Sequence, residues 1–281
     1  NINLLKLSSE DDGLSVFLLQ ELIRIEPVLA DYIYTFRIPS GDRERLLKLL
    51  TLSDGVCTWG GDEAIRGIRS LAPAGTKLIE WGHRISFAYV TEAGRSNGET
   101  LQAIAGTSQL LCSSCQGIYV EAEGREAVDF SRRFLRLLEH SYEEYGNKEV
   151  GFRGCSTIRI YQKELESAMT GERIFRGRGV SVTLSEEPGL QLSLMYGSCW
   201  VKPMNREKLV KTLRKDRGRL QTARLVCLEE EETELVRMLA GAGVNRILTG
   251  RDKEAGEQFG SHDGEYPLIR YSRIIETDVS L

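Results

Sequence analysis

The chain has 281 residues, 41% hydrophobic and 28% charged, with 37 basic against 41 acidic side chains. That balance describes a soluble globular protein of one or two domains and excludes a disordered chain, while a net charge of −4 leaves no basic footprint for nucleic acid. No stretch approaches the ~18 consecutive apolar residues that a membrane span needs, and residues 1–7 lack the charged and apolar regions of a signal peptide. Six cysteines at irregular spacing, Cys57, Cys112, Cys115, Cys155, Cys199 and Cys227, predict reduced thiols and a cytoplasmic location.

The first residues, Ile2-Asn3-Leu4-Leu5-Lys6-Leu7, read as a buried strand without a lead-in, as if the chain starts inside a fold. Residues 15–25 form an amphipathic helix with Val16, Leu19, Leu22 and Ile23 on one face. An apolar run at 32–36, a helix over 43–50, a strand at 55–59, a helix over 62–71 and a strand at 77–81 follow. The alternation then repeats: strand 85–90, helix 98–111, strand 116–121, and a long helix over 126–144 carrying Phe130, Phe134, Leu137 and Leu138. Strands alternating with helices are the mark of a parallel sheet built from βαβ units. The second half predicts a helix over 157–169, extended segments at 179–185 and 190–195, a helix over 206–215, a strand at 220–228, a helix over 230–242 and a strand at 246–248. Residues 249–264, rich in glycine and charge, read as a surface loop before a last extended segment.

Three places could carry chemistry. Gly60-Gly61-Asp62-Glu63 stands where a strand feeds a helix, so backbone N–H groups and the helix dipole could hold a phosphate; a tight turn needing glycine would look the same. Cys112, with Ser113, Ser114 and Cys115 before an apolar strand, lies at an element end where a thiol could face a cleft, although a free cysteine is more often a small buried hydrophobe. Glu80 closes the strand at 77–81, where an unremarkable salt-bridged carboxylate is the plain alternative. Cys112 and Cys115 have C-x-x-C spacing, but no second ligand pair accompanies them and His83, His140 and His262 form no cluster with them, so no metal site is expected.

Taken together, these residues resemble the aldehyde dehydrogenase superfamily: strand, Gly60-Gly61, helix, then Ile79-Glu80-Trp81-Gly82, then Gln109-Leu110-Leu111-Cys112-Ser113-Ser114. More narrowly, the chain is similar to the acyl-CoA reductases that supply fatty aldehyde to bacterial luciferase, the luminescence-type fatty-acid reductases. That likeness rests on Trp59-Gly60-Gly61-Asp62-Glu63-Ala64-Ile65, Cys112-Ser113-Ser114, Leu220-Gln221-Thr222 and Ala242-Gly243-Val244-Asn245-Arg246-Ile247, and covers nearly the whole chain. It implies an α/β, aldehyde-dehydrogenase-like fold: a partial Rossmann-type NADP-binding domain over residues 1–82, an α/β catalytic domain over 83–248, and a carboxy-terminal loop and extended segment over 249–281.

By the same resemblance, Cys112 is the nucleophile and Glu80 its general base, while Trp59, Gly60 and Gly61 lie against the cofactor. Lys6 matches the ribose-contacting lysine of the superfamily's Lys-Pro-Ser-Glu segment, which here reads Lys6-Leu7-Ser8-Ser9, so Ser8 and Ser9 join the cofactor set. A glutamate at the last position would repel a 2′-phosphate, and a serine does not; NADPH is the implied cofactor. The implied reaction reduces an acyl-CoA or acyl-protein thioester to a long-chain aldehyde, in a homo-oligomer that works with acyl-transferring partner proteins. The superfamily's segment before the lysine strand, including an asparagine of the oxyanion hole, has no counterpart in these residues, which suggests a fragment or a reduced relative. Three other readings stay open: an aldehyde dehydrogenase running toward the acid, a catalytically silent scaffold, and a C-x-x-C redox or zinc protein.

Overall fold

The computed structural model describes residues 1–9, 11–106, 109–249, 260–276 and 278. The chain divides into two compact units, Asn1–Gly82 with Arg270–Leu281, and His83–Ile269.

The first unit contains two parallel strand pairs, each closed by a crossover helix. Strand β1 (Asn3–Lys6) is followed by α1 (Leu14–Ile25) and pairs with β2 (Ile33–Phe36), Lys6 lying beside Phe36. Helix α2 (Arg43–Thr51) is capped by Asp42, whose carboxylate accepts the Arg45 N–H. It leads to β3 (Gly55–Trp59), α3 (Asp62–Leu71) and β4 (Lys77–Trp81), with β3 and β4 paired from Gly55↔Lys77 to Trp59↔Trp81. On α1, Val16, Leu19 and Ile23 are half-buried as the periodicity predicts, whereas Leu22 is exposed along with Phe17 and Leu18.

The second unit is built on a seven-stranded sheet. Its elements are β5 (Ile85–Val90), α4 (Gly98–Ala105), β6 (Cys115–Val120), α5 (Gly124–Tyr145), α6 (Val150–Thr170), β7 (Arg173–Arg176), β8 (Ser181–Leu184), β9 (Ser198–Pro203), α7 (Arg206–Leu213), β10 (Leu220–Val226), α8 (Glu229–Ala242) and β11 (Arg246–Leu248). The strand order is β11-β10-β5-β6-β9-β8-β7, parallel except for the antiparallel β7–β8 edge. Strands β5 and β6 are buried along their whole length, as parallel strands covered on both faces must be.

The two-residue period of the strands sorts this core into two kinds of packing. Ala88, Val90, Ile118, Val120 and Val201 point to the aliphatic side, against Phe130, Phe134 and Leu138 of α5 and Leu101 and Ile104 of α4. Phe87, Tyr89, Tyr119 and Trp200 point to the other, against Leu209 and Leu213 of α7 and Leu235 and Leu239 of α8. The Tyr119 ring meets Phe87 and Trp200 edge-on at 5.6 and 5.0 Å. Gly117, paired with Trp200 across β6 and β9, has to lack a side chain, because a Cβ there would enter the indole ring.

Several elements depart from expectation. The helix expected over 98–111 stops at Ala105, before Gly106, a residue that costs a helix about 1 kcal/mol; Gln109 then takes a left-handed backbone (φ 58°). The segment 190–195, expected to be extended, forms no strand ladder. Instead it belongs to a strap over the aromatic face, where the carbonyls of Pro188, Gly189 and Gln191 accept from Tyr119 Oη (2.9 Å), Lys202 Nζ (2.5 Å) and Trp200 Nε1 (2.9 Å). Strand β9 itself carries Lys202 inside an apolar run, which hides it from a hydrophobic pattern. Among the described residues after 249, those at 260–269 group with the second unit and those at 270–276 with the first. A short helix, α9 (Pro267–Tyr271), opens on a proline suited to the first helical position where extended chain was expected. Residues 250–259 of the expected loop lie outside the described residues.

Lys202 is fully buried, its ammonium 5.1 Å from the Trp200 ring centre. Burial pushes it down from the ordinary lysine value of 10.5 to about 8. Between those values the unfolded chain binds a proton that the folded chain has released, so folding stability rises with pH. Relative to Lys202→Met, the parent protein is expected to gain up to roughly 3 kcal/mol across this window, read by urea denaturation at several pH values.

Candidate active site

The amino-terminal ends of β5, β6 and β10 meet the turn that carries Cys112. Both ladders lose register there: β5–β6 between Ser86 and Ala88, and β5–β10 between Leu220 and Ala223. Such irregularities turn side chains and backbone groups out of the ladder. The Ser86 hydroxyl donates to the Cys112 carbonyl at 2.7 Å and, more weakly, to Gln221 Oε1 at 3.3 Å, while it accepts the Thr222 N–H at 3.2 Å. Gln221 Nε2 lies 3.4 Å from Cys112 Sγ and 2.6 Å from Asp263 Oδ1. The second Asp263 oxygen accepts from Arg84 Nε at 3.0 Å.

Burial separates the two close cysteines. Cys112 is exposed. Cys115 is buried, with its thiol directed at the Gly117 carbonyl (3.2 Å), and desolvation pushes that thiol up to about 12. A thiol held protonated is neither nucleophile nor metal ligand, so the exposed sulfur is the one available for chemistry. Nearby, Ser86, Ser113, Thr222 and Arg224 help line a cavity of about 50 Å³, whose wall includes Cys115 and not Cys112. That is room for a few water molecules, well short of the several hundred Å³ of a drug-sized pocket.

The first unit holds the other sequence-predicted residues. Lys6 ends β1, Ser8 and the exposed Ser9 follow it, and the β1–β2 register carries Arg37, just after Phe36, toward the same strand end. Arg37 is tied to Asp11, donating to its carbonyl at 3.0 Å. Trp59 ends β3 and is 64% exposed. Gly60 has a φ of 151°, and a Cβ on it would lie 3.2 Å from that of Ala64. Gly61 caps α3 without any side-chain hydrogen bond, and a Cβ on it would meet nothing within 4 Å. An uncapped helix start facing open space fits an anionic group, although Asp62 and Glu63 occupy the first turn.

Glu80, on β4, is engaged: Arg69 donates to both its oxygens, Nε at 2.9 Å and Nη2 at 2.5 Å. These hydrogen bonds hold its carboxyl below the usual glutamate value, with Arg270, stacked over Trp81 at 4.3 Å, contributing charge. Glu80 belongs to the first unit and Cys112 to the second. Ser86, Arg84 and Asp263 escaped the sequence reading, and Gln221 entered it only within a family motif. Their contacts span 26 to 179 residues of chain, which no local pattern encodes.

The sequence profile of the acyl-CoA reductase (LuxC) family matches residues 1–274. No curated protein matches the chain in sequence. Among solved structures, an NADP-dependent enzyme of E. coli superposes with a TM-score of 0.66 at 12% identity, covering 88% of this chain and 55% of its own. A bifunctional proline utilization A (PutA) protein gives 0.65 at 15%, covering 90% and 27%. A protein described as a methylmalonate-semialdehyde dehydrogenase from Sinorhizobium meliloti 1021, complexed with NAD, gives 0.64 at 13%, covering 88% and 55%. The fold is therefore that of the aldehyde dehydrogenases, and the chain spans between about a quarter and just over half of these relatives.

Arg69→Met is expected to return the Glu80 carboxyl toward the ordinary glutamate value, observable by NMR titration of that carboxyl. Because pairing lowers the folded-state value, the stabilisation it brings is present above the unfolded value of 4.5 and disappears as pH falls through the lowered one. The stability difference between parent and variant should vanish in acid.

Proposed function

Because the chain belongs to the acyl-CoA reductase (LuxC) family, we propose that it acts as an NADPH-dependent fatty acyl thioester reductase, releasing long-chain aldehyde through an acyl-enzyme on Cys112. The observation that carries the proposal is the contrast at the amino edge of the sheet: Cys112 is exposed and touched by an amide donor, while its neighbour Cys115 is buried. In the proposed sequence the Cys112 thiolate attacks the thioester carbonyl and the donor leaves as its thiolate, so one thioester replaces another. The backbone N–H of Cys112 is the proposed donor to the tetrahedral oxyanion. When bound, the nicotinamide supplies the hydride; with a proton, the acyl group departs as aldehyde and Cys112 is regenerated as a thiol.

Lys6, Ser8, Ser9, Trp59, Gly60 and Gly61 are the proposed cofactor contacts. Glu80 is the proposed base; its pairing with Arg69 keeps it ionised but weakly basic, so this role requires the pair to open. The acyl donor is proposed to be acyl-CoA or an acyl-protein, and a homo-oligomer in the cytoplasm, with partner proteins handing over the acyl group, completes the reading. Among the described residues no helix is long and apolar enough to cross a membrane.

Mixing the complete natural protein with acyl-CoA should release CoA in a burst, and NADPH should then yield aldehyde. Cys112→Ala should abolish the burst, and Cys115→Ser should keep most of it. A burst that survives in Cys112→Ala, or is lost equally in both, overturns the assignment; acid in place of aldehyde points to the oxidising direction, and no acylation to a silent scaffold. Separately, Ser9→Glu should weaken NADPH binding by roughly tenfold or more through like-charge repulsion and leave NADH little changed, measured by fluorescence titration.

A further inference from the structure

We infer that Gln221 is a hydrogen-bond donor to the Cys112 sulfur and that Asp263 and Arg84 fix its orientation; the inference rests on Cys112 being the nucleophile proposed above. A carboxamide has an oxygen end and an NH2 end of nearly the same shape, so its partners decide which way it points. Asp263 Oδ1 lies 2.6 Å from one end, and a carboxylate oxygen only accepts, so that end is the NH2. The other end, the oxygen, lies 3.3 Å from the Ser86 hydroxyl, whose one hydrogen goes mainly to the Cys112 carbonyl at 2.7 Å, so Asp263 is what decides the orientation. With one amide hydrogen committed to Asp263, the second is left for Cys112 Sγ at 3.4 Å.

Asp263 is itself held. Its side chain is 3% exposed, its second oxygen takes the Arg84 Nε–H at 3.0 Å, and its carbonyl accepts from Asn245 Nδ2 at 2.9 Å. Its backbone lies in the left-handed region (φ 52°), a conformation that non-glycine residues keep where surroundings impose it. Gln221 is 6% exposed, so a buried donor reaches an exposed sulfur and leaves the sulfur's outer side for a substrate. A hydrogen bond of this kind strengthens when the acceptor carries charge, so it favours the thiolate and the attack it makes. Gln221 thereby touches a reacting atom, and Asp263 and Arg84 are positioning residues.

The test measures two rates in the complete natural protein at fixed pH: alkylation of Cys112 by iodoacetamide, followed at that peptide by mass spectrometry, and release of CoA from acyl-CoA in a single turnover. Gln221→Met should slow both by roughly 10- to 100-fold while leaving the acyl-CoA concentration for half-saturation close to that of the parent. Asp263→Asn, whose amide no longer forces the Gln221 orientation, should slow both less, and should add nothing in the Gln221→Met background; this lack of additivity is the mark of one shared path. The inference is overturned if Gln221→Met reacts at the parent rate, if the two substitutions add, or, should Gln221→Met fail to fold, if Asp263→Asn alkylates like the parent. Alkylation needs no acyl substrate, so a parent that is alkylated but not acylated defeats the functional reading and leaves the Gln221 result standing on its own.

Discussion

The constraint on which the second unit depends is the burial of β5, β6 and β9 on both faces at once. A strand so enclosed cannot slip by one residue without carrying Trp200, Tyr119 and Phe87 into the aliphatic side, and Trp200 can lie where it does only because Gly117 offers no Cβ. Register is thereby fixed in the middle of the sheet, and irregularity is confined to the strand beginnings. There the shifts at Ser86–Ala88 and Leu220–Ala223 bring a hydroxyl, a carboxamide and the Cys112 turn within hydrogen-bonding distance.

Open α/β sheets usually take their ligands at the carboxyl ends of the strands. In this unit that edge is filled by a structural cluster: Arg206 binds Glu121 at 3.1 Å, Glu231 at 2.5 Å and Glu234 at 3.2 Å. Tyr89 donates to Glu121 at 2.7 Å and Thr91 to Glu231 at 2.9 Å. Each polar group there finds a protein partner, and such a network, fully satisfied, rigidifies what it joins. The exposed thiol lies at the opposite edge, where the hydrogen bonds lead out to a sulfur rather than closing on themselves.

The two units present different chemistry. In the second, burial selects between Cys112 and Cys115, three residues apart, by desolvating one thiol and leaving the other in the open. In the first, the polar groups of interest are two backbone ends, of the strand at Lys6 and of the helix at Gly61, and one side chain, the Glu80 carboxylate already matched by Arg69.

Much of this was legible in the sequence. The strands at 55–59, 77–81, 85–90 and 246–248 and the helix over 62–71 have the bounds that hydrophobic period and glycine punctuation give them, because each is decided by neighbours a few residues away. The family motifs singled out Cys112 and named the fold class. Tertiary structure alone decided the rest: that 190–195 is part of a strap whose carbonyls serve Tyr119 and Trp200, that a lysine belongs in β9, and that Gln221 and Asp263 stand beside Cys112. These depend on partners many residues away, and a buried polar group is tolerated only where the folded chain brings it one. A local pattern records which residues avoid water; which donor meets which acceptor is settled when the sheet closes.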